Sequence, residues 1–219
     1  MMNQRPQILA CPYCGGQKLI ESIGSGNTFG ATVWSDTKRV YPYLQHPSEI
    51  QWCLKCGKYY FYEDSKPESY HGDQCAEPND WGNLSFEETD NAYEMLYAED
   101  LTDDRKQTLL LYWLYAYNDV YNGRKGKPAF SFLRRKRKQI GAPEGTFERR
   151  ARIISELIKT NSDNDLFVSE LYRELGKFDE SIAIANRVLS GNEELSNIAS
   201  QIIEHAEKRD TGVFPIVFE

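Results

Sequence analysis

No apolar run in this chain of 219 residues exceeds nine, Leu109 to Tyr117. A helix needs roughly 20 apolar residues to cross a bilayer, so a transmembrane helix is excluded. An excess of positive charge is also missing: 26 Lys plus Arg stand against 33 Asp plus Glu, a net −7 with a pI near 5.2. That balance argues against a nucleic-acid coat protein and against electrostatic adhesion to anionic membranes. Histidine is scarce, at three residues, and His46 and His205 stand alone with no ligand-like neighbours. There is no P-loop, no dinucleotide glycine motif, no Ser-His-Asp ordering and no His-Glu-x-x-His helix. Before the first cysteine the chain offers only Ile8, Leu9 and Ala10 as an apolar stretch, so no signal peptide is expected and the expected compartment is the cytoplasm. The 40% apolar and 13% aromatic content is enough for a sizeable core. The length fits one domain or one domain with a small appendage.

Five cysteines are present. Four form two matched turns, Cys11-Pro12-Tyr13-Cys14-Gly15 and Cys53-Leu54-Lys55-Cys56-Gly57. Two residues between thiolates let one tight turn aim both sulfurs at a single ion. The glycine that follows tolerates positive φ, so backbone amides can point at the sulfurs. Two such turns supply four thiolates, and the reading is one structural Zn2+ held by Cys11, Cys14, Cys53 and Cys56. A four-thiolate zinc site carries a net charge of about −2, which amide donors and Lys18, Lys55 and Lys58 would offset. An iron–sulfur cluster is the competing metal reading. Cys-Pro-Tyr-Cys also resembles the glutaredoxin active site, but Gly15-Gly16 is a poor helix start and the second turn is left without a role. Disulfides do not suit a reducing compartment. Cys75, beside His71 in a ligand-like spacing, reads as a free thiol next to a loop histidine.

The expected fold class is α+β. Residues 1–62 read as a β zinc ribbon with a long insert between its metal turns. Strands are expected over Lys18 to Ile23, Thr28 to Trp34, Ile50 to Trp52 and Lys58 to Tyr62, with extended chain from Arg39 to Leu44. Nine aromatics crowd this region, Phe29, Trp34, Tyr41, Tyr43, Trp52, Tyr59, Tyr60, Phe61 and Tyr62, and read mainly as the filling of a thin sheet. Residues 63–84 read as an irregular linker. From Glu63 to Asp104 there are 14 acids and one base, Lys66.

Residues 85–219 read as helical. Ser85-Phe86-Glu87-Glu88 fits a capping box, and Thr102-Asp103-Asp104 caps the next helix, whose Leu109–Tyr117 run is apolar on every face. Arg124 to Lys138 holds eight positive charges in 15 residues and no acid. Four apolar stripes follow with helical spacing: Phe147, Ala151, Ile154, Ile158; Phe167, Leu171, Tyr172, Leu175; Phe178, Ile182, Ala185, Leu189; and Leu195, Ile198, Ala199, Ile202, Ala206. Gly176 and Gly191 are helix stops. Val213 to Phe218 is expected to run extended along the helices.

The run from Glu170 through Leu175-Gly176 to Phe178, Asp179, Glu180, Ser181 and Ile182 resembles the centre of a tetratricopeptide repeat. Leu175-Gly176 matches its inter-helix turn and Ser181 its small-residue position. The usual closing proline is replaced by Glu193. Phe147-Glu148, 31 residues before Phe178-Asp179, hints at an earlier unit without the Leu-Gly turn. Over most of its length the chain resembles an uncharacterised family of bacterial zinc-ribbon proteins with a C-terminal tetratricopeptide-repeat-like helical region. The matching residues are Cys11 and Cys14, Trp34-Ser35-Asp36-Thr37-Lys38, Cys53 and Cys56, Tyr112-Trp113 and Leu175-Gly176. The resemblance implies this architecture and a bacterial cytoplasmic setting, and no activity.

Three functions fit. The first is a non-enzymatic interaction or scaffold protein, with a structural zinc ribbon and helices that bind a protein or peptide. The second is nucleic-acid binding through the ribbon aromatics and the basic run 124–138, against which the acidic balance weighs. The third is an enzyme whose groups are distant in sequence. The tight acidic pairs Glu87-Glu88 and Asp103-Asp104 sit where helix N-termini favour acids, so they read as caps. No membrane partner is expected, and the sequence does not specify an oligomeric state.

Overall fold

The computed structural model describes residues 4–23, 27–42, 48–65, 68–69, 77–78, 84–122, 142–191 and 193–218. Among these, small strand pairs in the first third precede six helices, in line with an α+β chain. The chain forms two compact units, Met1–Ala31 with Val40–Leu109, and Thr32–Arg39 with Leu110–Glu219. Residues 32–39, read from sequence as part of the ribbon, therefore group with the helices.

In the first unit, β1 (Gln4–Ala10) and β2 (Gln17–Ile23) pair antiparallel, from Gln4 opposite Ile23 to Ala10 opposite Gln17. Sequence reading missed β1, because its Gln, Arg and Pro residues have low strand preference and its partner supplies the ladder. Ile8, Leu9 and Ile20 are buried. Two short strands from the expected linker extend this sheet, β7 (Glu68–Ser69) beside β1 and β8 (Glu77–Pro78) parallel to β2. A second antiparallel pair joins β5 (Ile50–Trp52) to β6 (Tyr59–Phe61), with Trp52 opposite Tyr59. All three β6 residues are buried, so the aromatics of that strand fill the core as expected, whereas Phe29 is exposed.

Helix α1 (Phe86–Tyr97) carries the expected capping box: the Glu88 amide donates to Ser85 Oγ, and the Ser85 amide donates to the Glu88 carboxylate. Its buried face is Thr89, Ala92, Tyr93 and Leu96. Arg105, at the start of α2 (Asp103–Val120), binds Glu63 at 2.7 Å and Asp64 at 2.6 Å and lies over the Phe61 ring. The first base after the acidic stretch thus bridges its first two acids.

The expected strand over 28–34 shrinks to β3 (Thr32–Val33), paired with β4 (Arg39–Val40). Gly30 at φ +72° and the Ala31 amide donating to Thr28 O turn the chain before it. In α2, Leu109, Leu110, Trp113, Leu114 and Tyr117 are buried, while Leu111, Tyr112, Tyr115 and Ala116 are half-buried, so the run is not buried on every face.

Four helices complete the second unit: α3 (Thr146–Thr160), α4 (Asp165–Glu174), α5 (Phe178–Gly191) and α6 (Glu193–Glu207). Two stripe positions are corrected. Phe147 is 68% exposed and Leu189 41% exposed. The buried faces run through Arg150, Ile153, Ile154 and Leu157 in α3, and through Phe178, Ser181, Ala185 and Val188 in α5. Packing against neighbouring helices selects one register, and periodicity alone leaves it free by one position. Gly176, at φ +76°, makes the α4–α5 turn. There Ser169 Oγ donates to Ser181 O across the buried interface, so the two helices approach closely. Ala185, Val188 and Ala199 form a small core with Leu166, Leu195 and Ile203. No helix among the described residues is long and apolar enough to cross a membrane.

Candidate metal centre

Each cysteine pair sits in the connection of an antiparallel strand pair, the first between β1 and β2 and the second between β5 and β6. The two connections have the same hydrogen bonds. The Cys11 amide donates to Gly16 O and the Gly15 amide to Cys11 O; the Cys53 amide donates to Lys58 O and the Gly57 amide to Cys53 O. Gly15 and Gly57 adopt φ of +64° and +69°. That left-handed conformation is why glycine follows each pair.

The four sulfurs lie within 4.8 Å of one another. Across the two turns, Cys11 Sγ is 3.8 Å from Cys56 Sγ and Cys14 Sγ is 3.6 Å from Cys53 Sγ. A tetrahedral ZnS4 unit with bonds of about 2.3 Å has sulfur–sulfur edges of about 3.8 Å. The two cross-turn edges therefore match those of one tetrahedral ion. Gly16 allows this approach: a Cβ there would stand 3.3 Å from both Cys14 Sγ and Cys53 Sγ.

The thiols sit in unlike electrostatic surroundings. Cys11 is buried, and burial pushes its thiol up to about 12 against hydrogen bonds from the Tyr13 and Cys14 amides. Burial also opposes ionisation of Cys53, but hydrogen bonds from the Cys56 and Lys55 amides and the Cys56 and Cys14 thiols outweigh it and hold it near 7. Tyr60 is buried against the sulfurs; burial and then the thiol charges hold its hydroxyl above the usual phenol range. Lys18 donates to Gln51 Oε1 at 2.9 Å. Burial pulls its ammonium below the usual lysine range, and the Cys53 charge opposes that shift. The Lys58 ammonium lies over the Tyr13 ring at 4.6 Å, and its amide donates to Cys56. The donor set is four sulfurs, two from the connection of each of two separate strand pairs. An ion bound by all four would have a closed set of ligands.

Cys75, His71, His46 and the basic run 124–138 lie outside the described residues. Sequence reading missed a second constellation, in the helical unit. Asp36 is fully buried and accepts from Asn118 Nδ2 at 2.9 Å. Asn118 also donates to Glu174 Oε2, as does Arg150 at 2.9 Å, and Arg150 reaches Glu174 O as well. Arg173 makes two hydrogen bonds to Glu170. Among the buried side-chain atoms of the described residues, Arg150 Nε and Glu174 Oε1 have no hydrogen-bond partner. Burial, opposed by Arg150 and reinforced by Glu170 and Asp36, lifts the Glu174 carboxyl to about 7. The overlooked signal was in α4: Glu170 and Glu174 share the face of Phe167 and Leu171 by the i, i+3, i+4 rule. Charges inside an apolar stripe mark a buried polar network.

No family model, curated protein or solved structure matches the chain.

Proposed function

We propose that this chain is a non-enzymatic interaction protein, in which one structural Zn2+ closes a β ribbon at Cys11, Cys14, Cys53 and Cys56 and the helices bind a protein or peptide. The observation that carries the reading is the set of four sulfurs within 4.8 Å on two turns with the same hydrogen bonds. Thiolate-only tetrahedral sites suit zinc and are the closed, structural type. The turn at Gly176 and the close Ser169–Ser181 contact support a tetratricopeptide-like pairing of α4 with α5. Such pairs present helical faces to protein ligands.

The test is metal content of the native protein by mass spectrometry, paired with identification of what co-purifies. One zinc per chain with a protein partner is the expected result. No metal, or iron in place of zinc, removes the zinc ribbon. Co-purifying nucleic acid that dissociates as salt rises removes the protein-scaffold reading, because phosphate contacts weaken steeply with salt.

A further inference from the structure

The segment that follows α6 is held in the way a receptor holds a peptide. We propose that the face formed by α4, α6 and residues 33–35 is a binding site for an extended segment of another protein carrying a large apolar residue and, two positions on, an aliphatic one. Residues 210–217 occupy this site as an internal ligand. The inference rests on the protein-binding reading of the helices and names the site and ligand class.

The main chain of the segment is read from two sides. Along one edge it adds to β3: the Ser35 amide donates to Phe214 O at 2.9 Å, the Ile216 amide donates to Val33 O at 2.8 Å, and Trp34 bridges Pro215 antiparallel. On the other side, polar side chains capture the backbone. Gln201 makes a two-point clamp on Val217, donating to its carbonyl at 2.8 Å and accepting from its amide at 3.0 Å. Buried Arg173 donates to Asp210 O and Gly212 O. Asn122 donates to Thr211 O at 3.0 Å. None of these contacts requires a particular side chain on the segment.

Side-chain contact falls on Asp210, whose carboxylate meets His205 at 2.9 Å, and on the buried Val213, Phe214 and Ile216. Phe214 and Ile216 are buried with Ile202, Leu166 and Ile198, whereas Pro215 and Val217 point away and are exposed. His205 lies flat on the Phe214 ring, centroids 3.7 Å apart at 1°. Arg173 lies over the same ring at 5.0 Å. Strand addition to an edge, with pockets for every second side chain, is a recurring peptide-recognition mode. The segment is also a separate element. Helix α6 closes its own end before the segment begins, with the Arg209 amide donating to Ala206 O and the Asp210 amide to His205 O.

A tethered copy competes at an effective concentration on the order of millimolar, so an outside ligand binds far more weakly while the internal one is seated. The test uses the full chain and a fluorescein-labelled peptide of residues 209–218. The Phe214→Ala/Ile216→Ala protein is expected to bind this peptide roughly ten-fold or more tightly than the wild type does. A peptide with alanine at those two positions is expected to lose that binding. A variant that keeps its helical circular dichroism and binds nothing overturns the proposal, as does equal binding by variant and wild type. A wild type that forms dimers by mutual exchange of the segment assigns the face to a second copy and also overturns it.

If the variant does not fold, hydrogen exchange of the wild type decides. The Val213, Phe214, Ile216 and Val217 amides are expected to exchange through an opening that leaves α4 and α6 protected. Exchange only together with those helices shows an integral part of the core and overturns the site. A partner that co-purifies equally with wild type and with Gln201→Ala leaves the protein-scaffold reading standing and removes this face alone.

Discussion

The cysteine-bearing strands and the helical unit solve stability in opposite ways. The strand pairs are short, and their apolar burial beside the sulfurs is Tyr60 with the cysteines themselves. Ile8, Leu9, Ile20, Ile50 and Phe61 add some packing, and the proposed metal, by closing both turns, would supply the rest. The helical unit buries Ile153, Ile154, Leu157, Leu171, Ala185, Ala199 and Ile202 and needs no staple. It nevertheless places Asp36, Arg150, Glu170, Arg173 and Glu174 inside. The contrast shows what each region tolerates. The first region would concentrate its stability at one metal site, while the larger core holds buried charge where ion pairs and hydrogen bonds meet most of it.

The strongest way to break the comparison is at the sulfurs. Cys11→Ser or Cys53→Ser should take metal content from one ion per chain to none and unfold the ribbon, while the helical signal in circular dichroism persists. The scale is set by the roughly 10–16 kcal/mol with which structural zinc supports small domains. A variant with full metal content and an unchanged melting profile would falsify the assignment of those ligands. Next in size is Arg173→Met, which leaves the fully buried Glu170 without its cation and frees two carbonyls of the 210–217 segment. A loss of about 3–5 kcal/mol in denaturant unfolding is expected for breaking a buried pair. A loss below about 1 kcal/mol would place Arg173 with exposed pairs.

A smaller effect sharpens the charge side through pH. The folded pKa of Glu174 is raised from 4.5 to about 7, so the folded chain binds this proton more tightly than the unfolded chain. The stability tied to it is therefore fully present below about pH 4.5 and is lost as pH rises through about 7. Glu174→Gln should flatten the stability profile across that window relative to wild type. Parallel profiles would show that the buried carboxylate is charged throughout. The smallest effect belongs to the first unit: Ser85→Ala removes the capping box of α1 and should cost about 1 kcal/mol, read as a shift of the denaturant midpoint. An unchanged midpoint would show that packing alone holds that helix end.

Much of this was legible along the chain. The cysteine turns were, because spacing and glycine encode a ligand geometry within five residues. The cap at Ser85 and the turn at Gly176 were, because each is a local conformational demand. The register of α3 and α5 was not: Phe147 and Leu189 fit the period but face solvent, since neighbouring helices choose the buried face. Strand β1 was not, because its pairing partner rather than its own composition makes it a strand.

The sequence by itself determined the four-sulfur site, the order of strands before helices and most helix ends, all of which depend on residues close together in the chain. Only the tertiary structure decided that residues 32–39, between the two cysteine pairs, fold with the helices, that Asp36 meets Asn118, and that the 210–217 segment lies along β3 and α6. Asp36 and Asn118 lie 82 positions apart, and Ser35 and Phe214 lie 179 apart. Such pairings depend on loop closure and mutual burial, which leave no periodic or local trace in the chain.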